Sequence, residues 1–130
     1  MKKKYLIVIA NYYKEISNGL LKSAKDFLPK SSIVKIIEVP GVFEIPVTIS
    51  KNIKKFDAFL ALGCVIKGET PHFDFICSST FISLLNLSTK SKKPIGNGII
   101  TALNMKQAKK RSLIKGKEAA NAVLEVIKNG

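Results

Sequence analysis

One imidazole and one guanidinium stand out in a chain whose other cationic side chains are lysines: His72 and Arg111 are the only residues of their kinds among 130. An imidazole can both take and give a proton at neutral pH, which makes His72 a candidate general acid and base. It ends the segment Lys67-Gly68-Glu69-Thr70-Pro71-His72, a turn opening into a helix. Free N–H groups and the helix dipole at such a place favour an anion such as a phosphate. The same turn also reads as an ordinary helix start, with Thr70 as cap and Pro71 in the first turn, and a lone histidine equally suits a surface or packing role. Arg111 can clamp a phosphate through two parallel N–H groups, or form an exposed ion pair. Glu44, the first acid after the Pro40-Gly41 turn, can accept hydrogen bonds from sugar-like hydroxyls, or simply favour the first turn of a helix. No Ser-His-Asp or Cys-His spacing is present, and two scattered cysteines with one histidine do not supply a zinc-ligand set.

The surrounding pattern shows what must hold these residues. Tyr5 to Ala10 is a continuous apolar run of strand length, as expected for a strand buried on both faces of a parallel sheet. After a polar turn, Ser17 is expected to cap a helix with Leu20, Leu21, Ala24, Phe27 and Leu28 at helical spacing, ending before Pro29. A second strand spans Ile33 to Val39, broken by Pro40 and Gly41. A helix with Ile45, Val47, Ile49 and Ile53 follows, accommodating Pro46 in its first turn. The third strand spans about 56–62 and is closed by Gly63. An apolar helix with Phe75, Ile76, Phe81, Ile82, Leu84 and Leu85 comes next, then a fourth strand at about 95–101. Two helices complete the pattern, a short polar one over 105–111 and a longer one over 117–128. The order β-α-β-α-β-α-β-α with right-handed crossovers predicts a single α/β domain, residues 1–130, as a flavodoxin-like three-layer sandwich on a four-stranded parallel sheet. Ligands of such sheets bind beyond the carboxyl ends of the strands, so the loops at 11–16, 40–44, 66–73 and 101–106 are where function is expected.

Composition narrows the class. The net charge is +13, but with one arginine, dispersed lysines and no RNA-binding aromatic signature the charge reads as solvated faces rather than a nucleic-acid surface. No apolar run approaches the roughly 18 to 20 residues that cross a bilayer, and the N-terminus lacks signal-peptide features, so a cytoplasmic protein without membrane partners is expected. Cys64 and Cys77, in apolar surroundings, are expected to be reduced, packed thiols.

Two segments, Val-Pro-Gly-Val-Phe-Glu-Ile-Pro at 39–46 and Leu-Gly-Cys-Val-Ile-Lys-Gly-Glu-Thr-Pro-His-Phe-Asp-Phe-Ile-Cys-Ser at 62–78, resemble the two signature regions of the lumazine synthases. The resemblance continues through IVIANYYKEISNGLLKSA, PIGNGIIT, QAKKR and KGKEAANAVLE in the same order and covers nearly the whole chain. It implies condensation of 5-amino-6-ribitylaminouracil with 3,4-dihydroxy-2-butanone 4-phosphate, without a cofactor or metal. It also implies pentamers, or multiples of pentamers, with sites between neighbouring subunits, and riboflavin synthase as a possible partner. By resemblance Tyr12 stacks on the pyrimidine, Gly41, Val42, Phe43 and Glu44 hold the ribityl chain, and Val65 and Ile66 lie against the ring. Glu69 and Thr70 offer backbone groups to the phosphate together with Arg111, and His72 transfers protons. Asn97 stands where many members carry a phenylalanine contributed by the adjacent subunit. Lys67 replaces the family's usual arginine, and a shortened connection after Arg111 leads to Lys115 and Glu118, both expected in the site. The chain also begins at its first core strand, which with the short loop favours a pentamer or a pair of pentamers over a sixty-subunit capsid. The rival within the same fold is a flavin- or lumazine-binding module without catalysis, and a lysine-rich nucleic-acid-binding protein is a more distant one.

Overall fold

Strand β1 (Lys4–Ala10) is buried over its last six residues, which requires cover on both faces. Tyr5, Ile7 and Ile9 point into one apolar cluster, and Leu6, Val8 and Ala10 into another. A computed structural model describes residues 2–130 and shows how that cover is supplied. β1 pairs in parallel with β2 (Ile33–Val39) on one side and with β3 (Ala58–Ile66) on the other; β4 (Ile95–Ala102) completes the sheet in the order β2-β1-β3-β4. Helices α1 (Lys14–Phe27) and α4 (Met105–Asn129) lie over one face, their Ile16, Leu20, Ala24, Ala108, Ala120 and Val123 packed into the first cluster. A 3₁₀ turn (Val42–Glu44), α2 (Ile45–Lys51) and α3 (His72–Ser91) cover the other face with Val42, Ile45, Ile49 and Leu84. This is the three-layer α/β sandwich with four parallel strands that the pattern predicts, and all four strands end at one edge.

Several boundaries differ from the expectation. Gly63 does not close β3; the strand runs through it to Ile66, pairing Gly63 with Ile99. Its missing side chain makes room for a neighbour, since a Cβ there would stand 2.7 Å from Val42 Cγ1 and 3.1 Å from Ala10 Cβ. Ser17 is not the cap of α1, which starts three residues earlier. It is buried, and its Oγ reaches the carbonyls of Ala10 at 2.8 Å and Tyr13 at 3.0 Å, tying the helix to the end of β1. Pro71, not Thr70, occupies the N-cap position of α3, and Thr70 Oγ1 only accepts a long contact, 3.4 Å, from the His72 N–H. Val47 on α2 is exposed, as are Phe75, Ile82 and Leu85 on α3.

The two C-terminal helices are one. α4 begins at Asn104, whose side chain accepts from the Gln107 N–H at 2.9 Å while Gln107 Oε1 accepts from the Leu103 N–H at 2.9 Å, a reciprocal cap. It then passes through Gly116 without a break. Glycine reads as a helix stop in sequence, but here it lets two helices meet: a Cβ at 116 would collide with the Leu20 carbonyl and Ser23 Oγ of α1. Glycine to alanine inside a helix ordinarily gains about 1 kcal/mol. Gly116→Ala is expected instead to destabilise by about 1 to 3 kcal/mol, because the Ser23 hydroxyl can turn aside but the Leu20 carbonyl is backbone and cannot, and thermal melting should show the loss.

Candidate active site at the carboxyl edge of the sheet

Each strand hands its loop to the same edge. β1 leads into Asn11, Tyr12 and Tyr13. The Asn11 N–H donates to the Val39 carbonyl at 3.1 Å, and its Nδ2 to Glu38 Oε1 at 2.8 Å. Tyr12 is 75% exposed and meets the half-buried Tyr13 ring edge-on at 4.9 Å. Burial, followed by the neighbouring Cys64 and Tyr12, raises the Tyr13 phenol above its ordinary value. β2 leads into Pro40 and Gly41. The Gly41 carbonyl accepts from the Glu44 N–H at 3.2 Å, and the Glu44 carboxylate folds back over Gly41, where a Cβ would lie 3.2 Å from Oε1. Val42 plugs the gap above Gly63, which turns Phe43 outward, 62% exposed. Phe43 and Glu44 border a groove of about 670 Å³ between α2 and α3.

β3 delivers Val65 and Ile66 half-buried at its tip. The Lys67 N–H still carries the ladder, donating to the Ala102 carbonyl at 2.9 Å. Lys67, Gly68, Glu69, Thr70 and His72 are all exposed, and nothing lies within 4 Å of a Cβ built on Gly68. The first intrahelical bond of α3 runs from the Phe75 N–H to the Pro71 carbonyl at 3.2 Å, so the N–H groups just upstream face outward at the positive end of the dipole.

The remaining expected residues form a separate group on the α4 side. Arg111 Nη1 donates to the Thr101 carbonyl at 2.9 Å. With Lys115, Glu118, Thr101 and Ile114 it lines a cleft of about 200 Å³ along β4. Lys115 and Glu118 face each other at 3.8 Å, partly exposed and worth little on their own. Asn97 sits exposed on β4, its Oδ1 accepting from the Ile99 N–H at 3.0 Å. Tyr12, Gly41 to Glu44, Val65 to Lys67, Glu69, Thr70 and His72 are thus gathered around the loops after β1, β2 and β3. Asn97, Arg111, Lys115 and Glu118 lie along the outer strand. Between them run the Lys67 N–H to Ala102 carbonyl bond and an exposed ion pair, 3.4 Å, from Lys109 at the start of α4 to Glu15 at the start of α1.

The groups also differ in charge. Glu38, Glu44, Glu69 and Asp74 lie on or beside the first group's loops, with Lys67 and Lys14 as cations; the second carries Lys106, Lys109, Lys110, Arg111 and Lys115, of which Lys109 pairs with Glu15 and Lys115 with Glu118. An apolar platform, hydroxyl acceptors and an open helix N-terminus in one place suit an aromatic polyol and an anion, and the guanidinium of the second group is of the type that pairs with an anion. Sequence reading missed Asn11, Glu38 and the Thr101 carbonyl. Only the β1–β2 register, which pairs Ile9 with Glu38, brings the first two together. No helix among the described residues is long and apolar enough to cross a membrane, and no three His, Cys, Asp or Glu residues there could share a metal.

Residues 2–129 match the family described as 6,7-dimethyl-8-ribityllumazine synthase. The chain is 43% identical to the 6,7-dimethyl-8-ribityllumazine synthase of Bartonella bacilliformis over 94% of its own length and 86% of that protein. It is 38% identical to the protein of the same name in Limosilactobacillus reuteri, covering 93% and 85% of the two chains, and 36% identical to that of Cutibacterium acnes, covering 95% and 80%.

Neither cysteine is activated. Burial pushes the Cys64 thiol from 9.0 up to about 11, and burial with nearby Asp74 raises the half-buried Cys77. A thiol-directed reagent near neutral pH should therefore label Cys77 first and Cys64 only on unfolding. The raised folded-state value of Cys64 means that the native state holds this proton more tightly. That stabilisation is fully present below pH 9.0 and is lost as pH rises through about 11, so melting temperature should fall across this window.

Proposed function

The chain belongs to the 6,7-dimethyl-8-ribityllumazine synthase family, the transferases that condense 5-amino-6-ribitylaminouracil with 3,4-dihydroxy-2-butanone 4-phosphate in the penultimate step of riboflavin biosynthesis, and we propose that it carries out this reaction at the carboxyl edge of its sheet, as one cytoplasmic domain spanning residues 1–130. The observation that carries this placement is the convergence at one edge of an exposed ring, Tyr12, a carboxylate folded over a turn, Glu44, and an open helix N-terminus bearing His72.

Tyr12 stacks on the pyrimidine while Val65 and Ile66 lie against it, and Gly41, Val42, Phe43 and Glu44 hold the ribityl hydroxyls. The N–H groups of Glu69 and Thr70, with the charge of Lys67, receive the phosphate. The 5-amino group adds to the ketone and water leaves to give an imine; after tautomerisation the C–O bond to phosphate breaks. The ribityl-bearing nitrogen then closes the ring on the carbonyl thus formed, releasing a second water. No residue needs to bond covalently to substrate and no cofactor is required. Holding the two substrates together is the larger contribution, and His72 moves protons as the imine forms and the phosphate departs.

Arg111 completes the phosphate site from a neighbouring subunit. What supports this is that Arg111, Lys115 and Glu118 line a cleft of their own along β4, the free edge of the sheet, with Arg111 held on the Thr101 carbonyl. A head-to-tail contact joins the first group of one copy to the second group of the next, and such contacts close into rings such as the expected pentamer or a pair of pentamers. The exposed Phe75, Ile82 and Leu85 of α3 provide apolar surface for such contacts. The product is released to the enzyme that makes riboflavin from it, the partner expected here.

Purified protein mixed with both substrates should accelerate the appearance of lumazine fluorescence over an enzyme-free control. Binding of lumazine without turnover would point to the non-catalytic module instead. His72→Ala should slow turnover by about a hundredfold without abolishing it. Arg111→Ala should raise KM for the phosphorylated substrate, and an unchanged KM would remove Arg111 from the site. If sites are shared, co-assembling His72→Ala with Arg111→Ala subunits should regenerate intact sites at about a quarter of positions, whereas sites within one subunit would regenerate none.

A further inference from the structure

Asn11 lies one residue beyond the last register pair of β1 and β2, Ala10 with Val39. It grips β2 twice, through its N–H on the Val39 carbonyl at 3.1 Å and through Nδ2 on Glu38 Oε1 at 2.8 Å. The register ends there: Pro40 faces away from β1 on the free side of β2, and no strand pair follows Ala10 with Val39. Adjacent strands twist relative to each other, and two chains leaving a ladder diverge unless something ties them. Here the divergence would fall on the loops that carry Tyr12 and the Gly41–Glu44 turn.

The other flank of Tyr12 is pinned as well. Ser17 Oγ reaches the Ala10 and Tyr13 carbonyls, so the residues on both sides of the exposed ring are fixed. Glu38, ionised, can only accept, which forces the Asn11 amide to present its NH₂ and gives the pair one orientation. We propose that the Asn11–Glu38 pair is a positioning device for the aminouracil: it sets the spacing between the Tyr12 ring and the Gly41–Glu44 turn without touching the substrate. This rests on the reading of Tyr12 and that turn as the pyrimidine and ribityl sites.

The test is steady-state lumazine formation with each substrate varied in turn. Glu38→Ala and Asn11→Ala should each raise KM for the aminouracil about five- to tenfold while KM for the dihydroxybutanone phosphate stays within about twofold. Glu38→Gln, whose amide oxygen still accepts, should restore most of the loss, and the double alanine variant should be no worse than either single one. If Glu38→Ala leaves the aminouracil KM unchanged while Tyr12→Ala raises it, the positioning role is overturned and the site reading stands. An aminouracil KM indifferent to Tyr12→Ala overturns the site reading, and the pair's role with it. Equal rises in both KM values with a lowered melting temperature would reduce the pair to a stability element and also overturn the proposal.

Discussion

Burial of β1 and β3 on both faces is the constraint on which the rest of the structure depends. A strand whose side chains are apolar in both directions cannot lie at a solvent-facing sheet surface, so helices must cover both sides. Parallel pairing with helical crossovers satisfies that need, and it brings every strand to an end at the same edge. The loops that carry the expected site residues meet there because the core occupies both faces of the sheet. The glycines of the sheet follow from the same demand: Gly63 admits Val42, while Gly98 makes room for Leu62 and Ala119.

Much of this was legible beforehand. The apolar runs identify four strands and their order, and the segments around Glu44 and His72 locate two of the loops. Gly63 was misread as the end of β3, whereas in the folded chain it makes room for Val42. The break expected between residues 111 and 117 is likewise absent, and Gly116 there lets α4 pass close against α1. Sequence distinguishes a turn from a close approach only when the neighbour is known. The apolar residues of α3 were legible as a helix but not as exposed or buried, since composition does not say what lies opposite; Leu84 is buried while Phe75, Ile82 and Leu85 are exposed.

The division of the site residues was illegible for a related reason. Arg111 and His72 are set apart by the layer to which each helix belongs, a property of the crossovers rather than of spacing. Asn11 and Glu38 were invisible because their meeting depends on strand register, a long-range fact that no local pattern encodes. Burial alone accounts for the inertness of Cys64, and that was foreseeable from the apolar residues around it.

The first turns of α4 carry Lys106, Lys109, Lys110 and Arg111 and no acid in the first turn, although this end of a helix has the positive pole of its dipole. The Asn104–Gln107 cap holds the helix in register in spite of that repulsion. Lys109 is partly offset by Glu15 at 3.4 Å, while Lys106, Lys110 and Arg111 have no acidic partner among the described residues. Under the proposed role of Arg111, a bound phosphate would relieve that repulsion, so an acid near the start of α4 would make a sturdier protein and a poorer host for phosphate.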